Sequence, residues 1–232
     1  MINTYLFLLL AIIYWGCQKK VIEIIPVAEY TLRTSGTTNN LKFVTFPSPD
    51  VGYIAGDSGT ILKSIDGGKS WTDISLPTNT NFRGFEFFTD SIGMYNTGSV
   101  YITYDGGNSW SNIESALWMD ILNDSLAIII SGSLPNYYVK ATYDTGKSFV
   151  LKSSIFNMDE LTRIRLINDH EVVFIFDESL QGLDFEDVKY FSIPVENLIW
   201  DEKINDAYFV DKDNGIIIGN KGVLLENDGY SY

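Results

Sequence analysis

Ser64-Ile65-Asp66-Gly67-Gly68-Lys69-Ser70-Trp71 recurs as Thr103-Tyr104-Asp105-Gly106-Gly107-Asn108-Ser109-Trp110 and as Thr142-Tyr143-Asp144-Thr145-Gly146-Lys147-Ser148-Phe149. Each octet fits Ser/Thr-x-Asp-x-Gly-x-Ser/Thr-aromatic, and the closing aromatics Trp71, Trp110 and Phe149 stand 39 residues apart twice. One such octet arises by chance; three in register at equal spacing do not. A period near 40 residues marks stacked supersecondary units of the propeller type. Within the octet, an Asp-x-Gly step between apolar runs reads as a hairpin turn. Glycine reaches positive φ without a steric cost, and the carboxylate accepts from nearby backbone N–H groups. The Ser and Thr hydroxyls add local bonds, and the closing ring offers apolar area for packing on a neighbouring unit. Ser64, Asp66, Gly68, Ser70 and Trp71, with Thr103, Asp105, Gly107, Ser109 and Trp110, and Thr142, Asp144, Gly146, Ser148 and Phe149, are therefore read as structural residues.

A second ladder extends the repeat. Thr45–Tyr53, Phe88–Met94, Leu122–Ile128, Ile167–Val173 and Val210–Ile216 align as five strand-turn-strand segments. Each unit reads as four short strands, giving an all-β fold: a β-propeller of about five four-stranded blades. The fourth unit has lost its octet, and spacing puts Asp187 at the place of the missing aspartate. The fifth unit reaches Asp228-Gly229-Tyr230-Ser231-Tyr232 where an outer strand should begin, and Tyr30–Phe46 aligns without gaps with Trp71–Phe87. An N-terminal strand over residues 28 to 34 is thus expected to complete blade five and close the propeller, removing an exposed edge.

The octets resemble the Asp-box, or bacterial neuraminidase repeat. The stretch from Gly52 to Trp71, Gly52-Tyr53-Ile54-Ala55-Gly56-Asp57-Ser58-Gly59-Thr60-Ile61-Leu62-Lys63 followed by the first octet, is similar to the repeat of the photosystem II stability and assembly factor-like propellers. That likeness covers essentially residues 30 to 232. It implies a propeller used as a binding or assembly scaffold, without chemistry of its own.

Composition agrees with one β domain: 232 residues, 45% hydrophobic and 14% aromatic. The balance of 16 basic and 30 acidic residues gives a net charge of −14, which disfavours electrostatic binding to nucleic acid or an anionic lipid surface. The same acidity also serves solubility. Tyr5 to Trp15 form an apolar run too short to span a bilayer as a helix but suited to a signal-peptide core, and it ends at Gly16-Cys17. Cys17 is the sole cysteine, so no intramolecular disulfide exists. Its setting resembles a bacterial lipoprotein site. The expected organisation is a signal peptide over 1–16, a lipidated Cys17 and short tether over 17–26, and the propeller over 27–232, with an extracytoplasmic, envelope location.

An enzymatic alternative follows from the Asp-box resemblance, which also extends to glycoside hydrolases. A sialidase needs convergent arginines, and the four here are Arg33, Arg83, Arg163 and Arg165, two of them on one predicted strand. A two-carboxylate glycosidase is open by composition alone. His170, the sole histidine, sits in the Asp169-His170-Glu171 turn, where a metal or general-base role needs partners that the sequence does not identify. No nucleotide, zinc or nucleophile motif is present, so no cofactor or metal is expected.

A meandering blade puts the first turn and the octet at the same end of the strands. Asp50, Asp66, Asp90, Asp105, Asp124, Asp144, Asp169, Asp187, Asp213 and Asp228 then share one rim. The opposite face carries irregular loops, among them Leu134–Tyr138 and Asp177–Asp187, and there Trp118, Tyr137, Tyr138 and Trp200 are the candidate binding aromatics. The expected function is non-catalytic binding of an envelope protein or a glycan, with no nucleic-acid partner and membrane contact only through the lipid anchor. The alternative is an Asp-box carbohydrate-active enzyme.

Overall fold

The computed structural model describes residues 32–228 apart from 134, 157, 159–160, 194, 196–201 and 212–213. Two compact units are distinguished, Met1–Thr34 and Ser35–Tyr232. The expected signal peptide, Cys17, the tether and most of the expected closing strand lie outside the described residues, as does Trp200.

The second unit is a β-propeller of five antiparallel sheets in chain order. Blade one holds β1 (Leu41–Thr45), β2 (Gly52–Gly56), β3 (Ile61–Ser64) and β4 (Thr72–Asp73); blade two holds β5 (Gly84–Phe87), β6 (Gly93–Asn96), β7 (Val100–Thr103) and β8 (Ser111–Glu114). Blade three comprises β9 (Ala116–Ile121), β10 (Ala127–Ser133), β11 (Asn136–Thr142) and β12 (Val150–Phe156). Blade four comprises β13 (Leu161–Leu166), β14 (Glu171–Phe176), β15 (Leu180–Asp184) and β16 (Lys189–Ile193). In blade five the described residues form β17 (Ile204–Asp211), β18 (Asn214–Gly219) and β19 (Leu224–Asp228). Among the described residues, no helix is long and apolar enough to cross a membrane.

Period-2 alternation explains why blades stack. Along β10, Ala127 and Ile129 enter the core shared with blade two, while Ile128 and Ile130 enter the core shared with blade four. Along β14, Val172 and Phe174 face blade three and Val173 and Ile175 face blade five. A strand covered on both faces reads as a continuous apolar run, and Ile128-Ile129-Ile130 and Val172-Val173-Phe174-Ile175 are such runs. The flanks are different: Val44 of β1 is 68% exposed, and Tyr208, Val210 and Leu224 of blade five are each 70% or more exposed.

The glycine that opens the second strand has a packing reason. A Cβ on Gly93 would stand 2.5 Å from Cγ of Phe87, and one on Gly52 would stand 2.4 Å from the Phe46 ring. The missing side chain lets an inner-strand phenylalanine lie flat on the next strand, and Phe87 in turn stacks on Tyr53 of blade one with centroids 3.6 Å apart. We expect Gly93→Ala to destabilise the domain by about 1–3 kcal/mol through overpacking. Urea denaturation checks this, and an unchanged midpoint would contradict it.

Candidate functional site

The three octets close as identical clasps. Asp66 Oδ1 accepts from Ser64 Oγ (2.8 Å) and from the Ser70 N–H (2.9 Å), and Oδ2 accepts from Ser70 Oγ (2.6 Å). Asp105 repeats this with Thr103 and Ser109, and Asp144 with Thr142 and Ser148. The Ser or Thr oxygen also accepts the N–H of Gly68, Gly107 or Gly146. The hydroxyl and N–H of the second serine hold each carboxyl down to about 2. These aspartates are saturated by turn donors, which leaves them poorly placed for chemistry. Trp110 packs 4.7 Å from Tyr95 and close to Phe85 and Phe87, and Phe149 packs against the core between blades two and three.

First turn and octet do share one end of each blade, as the meander requires. The Gly67 N–H donates to Asp50 O, Gly106 N–H to Ser91 O and Thr145 N–H to Ser125 O. Blade four corrects one expectation. Its outer turn is organised by Asp184, whose Oδ1 accepts the N–H groups of Glu186 and Asp187 at 3.0 Å each. As the last residue of the third strand, Asp184 takes the position of Ser64, whereas Asp187 pairs outward with Lys189 at 2.9 Å. Asp177–Asp187 is likewise not one loop, because β15 runs through it. Asp213 lies outside the described residues.

Among the described residues, the candidate aromatics do not converge. Tyr137 is buried in the core between blades three and four and offers no face to a ligand. Tyr138 points to the opposite side of β11 and is exposed. Trp118 sits on β9 and lines a cavity of about 570 Å³ among the inner strands of blades one to four, its indole N–H donating to Thr162 O at 3.3 Å.

That cavity is the candidate site. Lys42 and Phe43 reach it from β1, Arg83 and Phe85 from the head of β5, Trp118 from β9, and Arg163 and Arg165 from β13. Three of the four arginines in a chain of net charge −14 therefore face one space. The octets carry no trace of this convergence. Its only sequence signal is the Arg163-x-Arg165 spacing, which puts two guanidinium groups on one side of a strand. Arg163 and Arg165 share Asp206 of β17 at 3.4 and 2.8 Å, and Lys42 pairs with Asp57. Among the described residues Arg83 makes no ion pair.

Beneath the cavity runs a buried polar seam. Glu86 Oε2 accepts the N–H of Ile121 in blade three at 2.9 Å. Asp120 Oδ2 accepts the N–H of Leu166 in blade four at 2.6 Å while Oδ1 takes Arg165 at 3.0 Å. Glu86 lines both this cavity and a smaller one of about 320 Å³ toward the aspartate rim, so it stands between the two. Burial, reinforced by Asp120, pushes the Glu86 carboxyl well above the usual range. Burial also raises Asp120, against the opposing pull of Arg165.

Residues 25–117 match the model of the family described as photosynthesis system II assembly factor YCF48. A solved structure titled "YCF48 bound to D1 peptide" superposes with a TM-score of 0.52 at 17% identity, covering 85% of this chain and 82% of that one. The GH74 xyloglucanase from Xanthomonas campestris gives 0.55 at 11% identity over 78% of this chain and 35% of that one. The GH74 enzyme of Niastella koreensis gives 0.52 at 14% identity over 72% and 32%. No curated protein matches the sequence. The resemblance read from the repeats is thus supported over residues 25–117, and the solved structures add a likeness of fold: the chain is a β-propeller, similar in part to the YCF48 family model.

Folding keeps Glu86 protonated at pH values where the unfolded chain has lost that proton, since the ordinary value is 4.5 and the folded one is higher. The unfolded state binds fewer protons in that window, so this group makes stability fall as pH rises from about 4.5 through the raised folded value. Glu86→Gln, which keeps an acceptor for Ile121, should flatten that fall. Urea midpoints across roughly pH 5 to 8 check it, and parallel profiles for the two proteins would contradict it.

Proposed function

We propose that this propeller is a non-catalytic scaffold whose cavity takes an acidic segment of a partner protein. The observation that carries the reading is the convergence of Lys42, Arg83, Arg163 and Arg165 beside Trp118, Phe43 and Phe85. Cations above an apolar floor suit a peptide that brings carboxylates together with an apolar anchor, and Trp and Arg are the side chains that dominate such contacts. The peptide-bound YCF48 structure supports a protein partner in preference to a glycan. Against hydrolysis stands the use of the buried carboxyls. Asp120 spends both oxygens on Leu166 and Arg165, and Glu86, bonded to Ile121 through one oxygen, is favoured in its protonated form, so neither is well placed as a base to activate water.

In a panel of synthetic peptides, acidic members with one aromatic or aliphatic residue should bind best. Arg83→Glu and Trp118→Ala should each weaken binding about tenfold or more, while Asp66→Ala should leave it near wild type. Equal affinity across all four proteins would remove the cavity from consideration.

We further propose that the scaffold is held at an extracytoplasmic membrane surface by acyl chains on Cys17. The support is the apolar run from Tyr5 to Trp15 directly before Gly16 and the lone cysteine. Two chains anchor where one binds only reversibly. Metabolic labelling with a fatty-acid analogue should mark the wild type and spare Cys17→Ser; equal label in both would end the idea.

A further inference from the structure

Blade four has no octet, and near its outer turn three donors of mixed chemistry meet. His170 comes from the turn between β13 and β14, Glu171 opens β14, Asp184 ends β15, and one ligand atom from each lies within 4.8 Å of the other two. All three residues are half-buried. The chain folds this way because the Phe185 N–H donates to His170 O at 2.8 Å, which ties the inner turn to the outer one.

We infer that His170, Glu171 and Asp184 form a binding site for a divalent first-row transition metal ion, with Zn²⁺ as the probe. One imidazole and two carboxylates are a donor set that suits zinc or manganese, whereas magnesium and calcium favour oxygen alone. The surroundings prepare each donor. Asp169 Oδ1 lies 2.7 Å from His170 Nδ1, which makes Nε2 the lone-pair nitrogen of the neutral ring, in the carboxylate–histidine arrangement common behind metal ligands. Asp184 Oδ1 is held by two backbone N–H groups, leaving Oδ2 for an ion. Asn168 Nδ2 donates to one oxygen of Glu171, Oε2, leaving Oε1.

Charge points the same way. Asp169, Asp184 and Glu171 surround a single imidazole, a set of carboxylates that favours a cation there. Three protein ligands leave a position for water, and the ion would pin the first turn of blade four to its outer turn, as the aspartate clasps brace the outer turns of blades one to three.

The experiment is a Zn²⁺ titration of the full chain followed by the imidazole NMR signals. His170 is the sole histidine, so they need no assignment. Stoichiometric Zn²⁺ should shift them and raise the melting temperature, with Mg²⁺ at the same concentration doing neither. Glu171→Gln and Asp184→Asn should each weaken Zn²⁺ binding at least tenfold; asparagine retains the Oδ1 acceptor that the turn needs, so the fold survives the change. Imidazole signals that do not move, or wild-type affinity in both variants, would overturn the site. Zinc captured elsewhere, on Cys17 for example, would leave the His170 signals in place and count as the first of these outcomes.

Discussion

Every feature of this propeller depends on a sheet that is apolar on both faces. No blade can be stable alone, because Ile128 and Ile130 on one side of β10 and Ala127 and Ile129 on the other all need cover. At roughly 25 cal/mol per Å² of apolar area removed from water, each contact between blades outweighs the hydrogen bonds within a turn. The turns therefore do not drive folding. They fix the phase at which each sheet offers its faces to the next, and a one-residue slip would put the wrong set outward.

Polar contacts are concentrated where apolar packing cannot reach, around the axis. Inner strands of neighbouring blades approach each other without forming a common sheet, so the N–H groups on their axis-facing edges lack ladder partners. Glu86 and Asp120 supply acceptors, each reaching across to the following blade, and Arg165 continues the series by reaching Asp206. These three positions are equivalent in the repeat, four residues before Asp90, Asp124 and Asp169. Burying carboxyls is costly unless they are bonded or neutral. Both solutions occur side by side, with Asp120 matched to Arg165 and Glu86 favoured in its protonated form.

The period, the blade count and the clasps were legible because they are local: Ser64, Asp66, Gly68 and Ser70 interact within one turn, and three copies repeat the message. The cavity was not legible, because it is made by residues of different blades whose convergence depends on how the sheets turn around the axis. Arg83 and Arg165 are 82 positions apart in sequence and have neighbours that differ from repeat to repeat. Tyr137 shows the same limit from the other side. Its neighbour Tyr138 is exposed, and only the pairing of β11 decides which of the two enters the core. In blade four, spacing counted from the lost octet pointed to Asp187, but the chain meets the same need one strand end earlier, with a carboxylate at Asp184 in place of a hydroxyl.

The distribution of charge follows from this division of labour. Carboxylates crowd the turn rim because an aspartate that accepts two or three turn donors is stabilised wherever a blade needs a clasp, whatever the net charge becomes. In the wall of the axial cavity Arg165 balances buried carboxylate charge, serving Asp120 and Asp206 together. Arg163 is drawn to the same Asp206. Arg83 is not needed for that balance, which makes it the cation best able to act on something other than the fold. A surface of net charge −14 repels acidic partners at long range, and screening confines that repulsion to about 8–10 Å at physiological salt. An acidic segment that reaches the cavity meets the opposite field at short range. Under the proposed reading, selection at this cavity would therefore rest on shape and close contact rather than on electrostatic steering.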